Sequence, residues 1–278
     1  MKRYAILFAA LIGLTATTAS AQTPACDNLT AEAKAIAQNV LDTAYPYDCC
    51  DQTISACLKS VPQCKLPVRL ADEICRLASA NKSAQDIKHQ LDQRAMTMSS
   101  LKPPVKIAQD PQHIWGNPNA KVVLSVYLCA RCPYCSRHIP RLIELLETSP
   151  IKDKIAINLR LFPIKSHEHS TNASLGLEAA AKMGKAWPYL LKTYQNFDAY
   201  SDAKRTVWAT ELGLDAAQFD ALLKDNAVRN AVVESKKEGL TNKVESTPTF
   251  FLNGRLIQGA FDAEAIISML EESLDNVK

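Results

Sequence analysis

Three cysteines, Cys129, Cys132 and Cys135, lie within seven consecutive positions of this sequence. In Cys132-Pro133-Tyr134-Cys135 the two thiols are three residues apart, and on a first helical turn such a pair can close a disulfide with little backbone movement. Their chemistry is exchange: a thiolate attacks a disulfide sulfur, forms a mixed disulfide, and the second thiol resolves it. The motif predicts Cys132 as the nucleophile and Cys135 as the resolving thiol.

The elements around the pair are expected to make Cys132 reactive. Residues 122–128 form a near-continuous apolar, β-branched run that predicts a strand buried on both faces, and a helix is expected to start near Pro133. Free N–H groups and the positive end of the helix dipole favour an anion at that position, which lowers the pKa of the first thiol. Arg131 is expected to add positive charge. We therefore expect the sulfur of Cys132 to be partly ionised and reachable from solvent.

Other uses of this cysteine pair stay open. The pair alone fits an inert structural disulfide, which is common in exported proteins. Zinc would need two more ligands, for which His167 and His169 are weak candidates. Haem attachment needs a histidine directly after the second cysteine, where Ser136 stands. We expect no metal and no bound cofactor, because in thiol exchange the electrons stay on sulfur.

Cys129 forms a second, overlapping pair with Cys132. It is expected at the end of the strand, so a disulfide between Cys129 and Cys132 could compete with the one between Cys132 and Cys135. The alternative is a buried free thiol that acts as a small apolar side chain. We treat Cys129 and Arg131 as accessory candidates.

A proline motif accompanies the cysteines. Ser246-Thr247-Pro248-Thr249 places a proline at the start of a predicted strand, and X-Pro is the only peptide bond that adopts cis at low cost. With the cysteine motif, this resembles the thioredoxin superfamily, closest to its DsbA-like branch with a helical insertion, over residues 115–275. The resemblance implies that a cis-proline loop at Thr247 and Pro248 lies against the cysteines and binds peptide. It also implies cysteine-containing protein substrates and a membrane redox partner that resets the enzyme.

Besides the extra Cys129, two positions differ from this family in ways that affect the chemistry. Its members often carry an acidic residue six positions before the first cysteine, where this chain has Val126, so proton transfer must use water or another residue. Its strongly oxidising members have histidine at the position of Tyr134, so this pair is expected to be a weaker oxidant. The direction of reaction stays open among oxidation, isomerisation and reduction.

A further group of six cysteines precedes residue 80. Six cysteines allow 15 pairings, and we expect them to staple a small helical bundle. The segment around Cys49-Cys50 weakly resembles the helical thiol domain of CcmH-like cytochrome c maturation factors, although its cysteines are adjacent rather than spaced. A redox role, a docking role and a role in oligomerisation remain alternatives. The six are Cys26, Cys49, Cys50, Cys57, Cys64 and Cys75.

The chain order predicts four segments. Residues 1–21 read as a signal peptide, 22–100 as a Cys-rich helical domain, 101–114 as a linker, and 115–278 as a thioredoxin-like, DsbA-type domain. The fold class is α/β, a thioredoxin-like fold with a helical insertion, preceded by a small all-α domain. Residues 174–239 are predicted to be helical with a break near Gly213, and Asn253-Gly254 predicts a hairpin.

Charge excludes one class of partner. The formal net charge of +3 falls by two when Lys2 and Arg3 leave with the signal peptide. A nearly neutral protein gives no electrostatic basis for nucleic-acid binding. We therefore expect a periplasmic thiol–disulfide oxidoreductase. A reductase dedicated to cytochrome c maturation is the alternative enzyme, and a redox-inert chaperone or metal-handling protein is the alternative of another class.

Overall fold

The computed structural model describes residues 24–60 and 64–276. The predicted signal peptide, residues 1–21, lies outside these ranges. Within them, no helix is both long enough and apolar enough to cross a membrane.

The first part of the chain is helical, as predicted. Two helices begin at the caps expected from the sequence: the side chain of Thr30 accepts a hydrogen bond from the backbone N–H of Ala33, and that of Ser83 accepts from Asp86. The helices surround an apolar cluster of their own. They are α1 (Ala31–Thr43), α2 (Ile54–Ser60), α3 (Leu66–Ser79) and α4 (Ala84–Met98).

Three disulfides hold this helical part together, and they select one of the 15 pairings that the sequence leaves open. Cys26 bonds to Cys75, Cys49 to Cys64, and Cys50 to Cys57. The first bond ties the segment before α1 to α3, and the third ties the loop after α1 to α2. The adjacent Cys49 and Cys50 therefore belong to different bridges.

A five-stranded mixed sheet forms the centre of the second part, in the order β1-β3-β2-β4-β5. The central strand β2 is parallel to β3 and antiparallel to β4. It is almost wholly buried, which confirms the strand predicted from its continuous apolar run. The strands are β1 (Ile114–Gly116), β2 (Val122–Leu128), β3 (Ile155–Leu161), β4 (Thr249–Leu252) and β5 (Arg255–Leu256).

Seven helices accompany the sheet. Helix α5 (Pro133–Glu147) connects β2 to β3 and carries Pro140 in its interior, and α11 (Ala263–Asp275) follows the hairpin with Asp262 as its N-cap. Five helices form an insertion between β3 and β4. They are α6 (Ser170–Lys182), α7 (Ala186–Gln195), α8 (Lys204–Glu211), α9 (Ala216–Leu223) and α10 (Asn226–Thr241).

The insertion is more interrupted than the single break predicted near Gly213. Gly213 does end a helix, with a φ of +81° that suits glycine, and Gly184 ends another at +73°. The hairpin prediction is confirmed: Asn253 and Gly254 turn the chain with positive φ angles between β4 and β5. Strand β5 is shorter than expected and ends before Ile257.

The segment predicted as a linker, residues 101–114, lies along the sheet and its hairpin. The backbone N–H of Val105 donates to the carbonyl of Gly254 at 2.9 Å, and Asn158 of β3 donates to the carbonyl of Ala108 at 2.9 Å. Its last residue, Ile114, already belongs to β1. The domain boundaries themselves stay a prediction.

A buried ion cluster joins the helical part to α11. Arg94 of α4, fully buried, donates to Glu73 of α3 at 2.6 Å and to Glu272 of α11 at 2.7 Å. The hydroxyl of Tyr47 also donates to Glu272, at 2.6 Å. Because removing one partner of a buried pair leaves the other charge unpaired, this cluster ties the two parts in one arrangement.

Candidate active site

The cysteine motif lies where β2 gives way to α5. Cys132 is the N-cap of α5 and Pro133 is its first residue, where the missing N–H of proline is not needed. The backbone N–H of Cys132 donates to the carbonyl of Cys129 at 3.0 Å, which closes a turn between strand and helix. Cys135 follows on the first turn of the helix and is buried.

The proline loop lies directly against this helix end. The peptide bond between Thr247 and Pro248 is cis, and β4 begins at the next residue. Because β4 pairs with β2, with Thr249 opposite Tyr127, the loop before β4 adjoins the turn after β2. The sulfur of Cys132 lies 3.1 Å from the carbonyl oxygen of Thr247, to which the thiol donates. The two motifs that the sequence singles out therefore meet.

Donors around Cys132 stabilise its thiolate. They lower the pKa of Cys132 to about 5, chiefly through the thiol of Cys135. Burial opposes this, and the Thr247 side chain and the backbone N–H groups of Cys135 and Tyr134 reinforce it. The Thr247 hydroxyl is buried and makes no hydrogen bond of ordinary geometry to any described atom. It is therefore available as a donor to the thiolate.

Cys135 has the opposite electrostatics. Burial raises the pKa of the Cys135 thiol well above its ordinary value, and the neighbouring Cys132 sulfur raises it further. At neutral pH the pair is therefore one thiolate and one thiol. Such an arrangement suits a first thiol that attacks and a second that waits.

Arg131 does not take the place expected from its position beside Cys132. Its guanidinium stacks on the rings of Phe197 and Tyr200, 4.1 Å and 4.8 Å from their centres, and donates to the carbonyl of Phe197. These partners belong to the insertion and hold the cation there. The main stabilisation of the Cys132 thiolate comes from Cys135, Thr247 and backbone N–H groups instead.

Access to the nucleophile also differs from the expectation. Cys132 is only 1% exposed, whereas we expected its sulfur to be reachable from solvent. The Thr247 carbonyl is one of the groups that lie against the sulfur. The adjacent Tyr134 is 59% exposed and marks the nearest open surface. Any reaction at this sulfur therefore requires that the groups covering it move.

Sequence reasoning did not foresee the surroundings of Cys129. This buried free thiol lies 3.4 Å from Nδ1 of His167, and the hydroxyl of Tyr194 donates to its backbone carbonyl at 3.1 Å. Both partners come from beyond β3, so spacing within the motif gave no signal for them. Across the described ranges, no three His, Cys, Asp or Glu side chains are grouped to hold a metal ion.

Val126 is fully buried in β2, opposite Phe250 of β4 and Leu159 of β3. The acidic residue common at this position in the family is therefore replaced by part of the apolar core.

The thioredoxin family model matches residues 108–272, more than half of the chain. This chain belongs to the thioredoxin family. Its DsbA-like domain shares its fold with two solved structures, and at their low identities the likeness concerns the fold alone. BdbD from Bacillus subtilis has a TM-score of 0.53 at 15% identity, and the match covers 63% of this chain and 100% of the BdbD chain. The thiol-disulfide exchange protein alpha-DsbA2 from Wolbachia pipientis has 0.51 at 21%, covering 69% and 99%.

One curated relative of this thioredoxin-family protein is a much longer protein. The Na(+)/H(+) antiporter NhaA of Herminiimonas arsenicoxydans is 32% identical over 175 residues. The match covers 62% of this chain and 27% of the antiporter. The chain thus spans about a quarter of the length of that relative.

Proposed function

We propose that this protein catalyses thiol–disulfide exchange in cysteine-containing proteins of the periplasm. One observation carries the proposal: the sulfur of Cys132, at the start of α5, lies 3.1 Å from the Thr247 carbonyl of the cis-proline loop. This contact joins a nucleophile to a backbone segment able to bind an extended peptide. The pairing of a low-pKa thiol with a high-pKa thiol supports the same function.

The first step is attack by the Cys132 thiolate on a client disulfide. A bond forms between Cys132 and one client sulfur, and the other client sulfur leaves as a thiolate. Deprotonation of Cys132 also ends its hydrogen bond to the Thr247 carbonyl. That oxygen is then free to accept a backbone N–H of the client, which positions the peptide over the sulfur that it uncovers.

The second step releases the client. Cys135 loses its proton and attacks the sulfur of Cys132, so the Cys132–Cys135 disulfide forms and the second client sulfur leaves as a thiolate, which takes up a proton. The client is reduced and the enzyme oxidised. The same steps in reverse oxidise a client, and attack by another client thiol isomerises it. A membrane redox partner would reset the pair.

The disulfides of the helical part favour an oxidising compartment as the location of this protein. All six of its cysteines are in disulfides, and such bonds persist in exported proteins. These bridges tie separate helices and loops together, and the adjacent Cys49 and Cys50 belong to different bridges, which favours a structural role for them. We therefore assign the exchange chemistry to Cys132 and Cys135.

Insulin reduction and refolding of scrambled ribonuclease test the proposal. We expect the wild type to be active in at least one assay and Cys132→Ala to be inactive in both. Wild-type activity no better than that of the variant in either assay would refute the enzyme and favour a redox-inert chaperone or metal-handling protein. The reduction potential of the pair then ranks oxidase against reductase.

A further inference from the structure

The proposed exchange leaves one nucleophilic group unused. Of the nine cysteines, six are in disulfides, and the three free thiols are Cys129, Cys132 and Cys135. Cys129 is fully buried directly after β2, three residues before the nucleophile Cys132. A buried thiol in an apolar core needs no polar partner, yet this one has several.

The backbone brings Cys129 within disulfide range of Cys132. The hydrogen bond from the Cys132 N–H to the Cys129 carbonyl closes a four-residue turn. Such turns hold their end Cα atoms less than about 7 Å apart, and disulfides span Cα distances of about 4.4–6.8 Å. Cys132 therefore has a thiol three residues before it as well as three residues after it.

The side chain of Cys129 lies beside a base that can accept its proton. Nδ1 of His167 lies 3.4 Å from its sulfur, within reach of the thiol proton. Burial raises the pKa of Cys129, and the backbone N–H groups of Ile164 and Arg131 oppose that rise only in part. The sulfur thus has a base beside it and donors that would stabilise the thiolate once formed.

We propose that Cys129 is a second resolving thiol, which attacks Cys132 in competition with Cys135 and uses His167 as its base. This inference rests on the proposed function, because it needs a mixed disulfide at Cys132. The pair Cys129–Cys132 would then be a second redox state of the site.

The step balances without any added reagent. The Cys129 proton passes to Nδ1 of His167, and the resulting thiolate turns toward Cys132 and attacks its sulfur. The Cys129–Cys132 bond forms, the bond from Cys132 to the client breaks, and the client sulfur leaves as a thiolate that accepts the proton from His167. The two enzyme thiols are oxidised and the client is reduced.

The Cys135→Ser variant isolates this route. Its reduced form is treated with one equivalent of 5,5′-dithiobis(2-nitrobenzoate), which places a thionitrobenzoate on Cys132 and releases the first coloured thiolate. We expect a second equivalent to follow, released by Cys129. In Cys129→Ser/Cys135→Ser the adduct should persist, with the second release slowed at least ~100-fold.

Trypsin provides a readout that needs no change at Cys129. Because Arg131 separates Cys129 from Cys132, digestion yields peptides 122–131 and 132–137, which stay joined only through a disulfide between them. In treated Cys135→Ser we expect the joined pair under non-reducing mass spectrometry. A persistent adduct on peptide 132–137, with no joined pair, would overturn the inference.

Two controls separate the possible failures. The wild type should release both equivalents of the coloured thiolate, because either Cys129 or Cys135 can displace the second one from Cys132. A wild type that releases none contradicts the proposed function itself. Cys132→Ser/Cys135→Ser should release none, which excludes direct labelling of Cys129.

His167→Gln in the Cys135→Ser background should slow the second release about tenfold or more near pH 7 and less at alkaline pH. A pH-independent loss would mean that His167 has only a structural role.

Discussion

The two groups of cysteines in this protein have opposite fates. The six in the helical part form bridges between separate elements, over separations of 49, 15 and 7 residues. The three that follow β2 are free thiols, although each is only three residues from the next. In the first group the bond holds elements together, whereas in the second a helix end and a proline loop stabilise a thiolate. The surroundings of a cysteine, more than its spacing, decide its chemistry.

The largest expected effect separates the groups by activity. Cys132→Ser should lower the rate of whichever exchange reaction the wild type catalyses, insulin reduction or refolding of scrambled ribonuclease, by at least ~1,000-fold, because no other thiol at the site is ionised at neutral pH. The matched control is Cys50→Ser/Cys57→Ser, which removes a bridge and should leave the rate within about twofold once the folded fraction is allowed for. A comparable loss in the control would place exchange chemistry in the helical part.

The next effect separates them by stability. Opening the Cys26–Cys75 bridge with a double serine variant should cost about 4 kcal/mol of unfolding free energy, from the 49 residues that it spans. Opening Cys50–Cys57 should cost about 2 kcal/mol, because it spans only 7. Urea unfolding under non-reducing conditions measures both. Equal losses would show that the bridges do not act through loop closure.

A third effect concerns pH and the reduced thiols. The pKa of Cys132 in the folded protein, about 5, lies below its value near 8.5 in the unfolded chain. The thiolate therefore stabilises the folded, reduced protein fully above pH 8.5, and this stabilisation disappears as the pH falls through 5. It should amount to about 2–3 kcal/mol at pH 7 relative to low pH. The raised pKa of Cys135 acts oppositely, so its contribution falls as pH rises above about 8.5.

Unfolding of the reduced protein across this pH range, with Cys132→Ser as reference, measures the effect. The difference between the two proteins should grow from pH 5 to pH 8.5. A flat difference would mean that Cys132 titrates as an ordinary thiol.

The smallest effect tests which groups tune the nucleophile. Thr247→Val removes a hydroxyl donor and should raise the pKa of Cys132 from about 5 to about 6, whereas Thr247→Ser should leave it unchanged. Arg131→Gln should also have little effect, since its guanidinium lies on Phe197 and Tyr200. The pH dependence of iodoacetamide alkylation reports each value. A larger shift for Arg131→Gln than for Thr247→Val would reverse our assignment.

Local patterns predicted the elements that hold the site. The apolar run of β2, the proline at the start of α5 and the Asn-Gly turn each act over a few residues, so the sequence alone located them. Of the further helix breaks in the insertion, the one at Gly184 escaped prediction because nothing in the sequence distinguished that glycine from one inside a helix.

Contacts between distant segments were beyond the sequence. Arg131 could be placed beside Cys132 along the chain, but its choice of aromatic rings in the insertion depends on packing. The contact of Cys129 with His167, the covering of Cys132 and the pairing of the six bridged cysteines share this cause. The resemblance located Thr247 and Pro248, and the cysteine motif located the nucleophile.

The hydrogen bond between Cys132 and Thr247 spans 115 positions of the chain. Ribosomes extend proteins from the amino end, so the motif emerges well before the loop that completes it. Until then the sulfur of Cys132 lacks both the hydroxyl and the carbonyl of Thr247. The lowered pKa of Cys132 therefore arises only after the C-terminal part of the chain has folded against the cysteine motif.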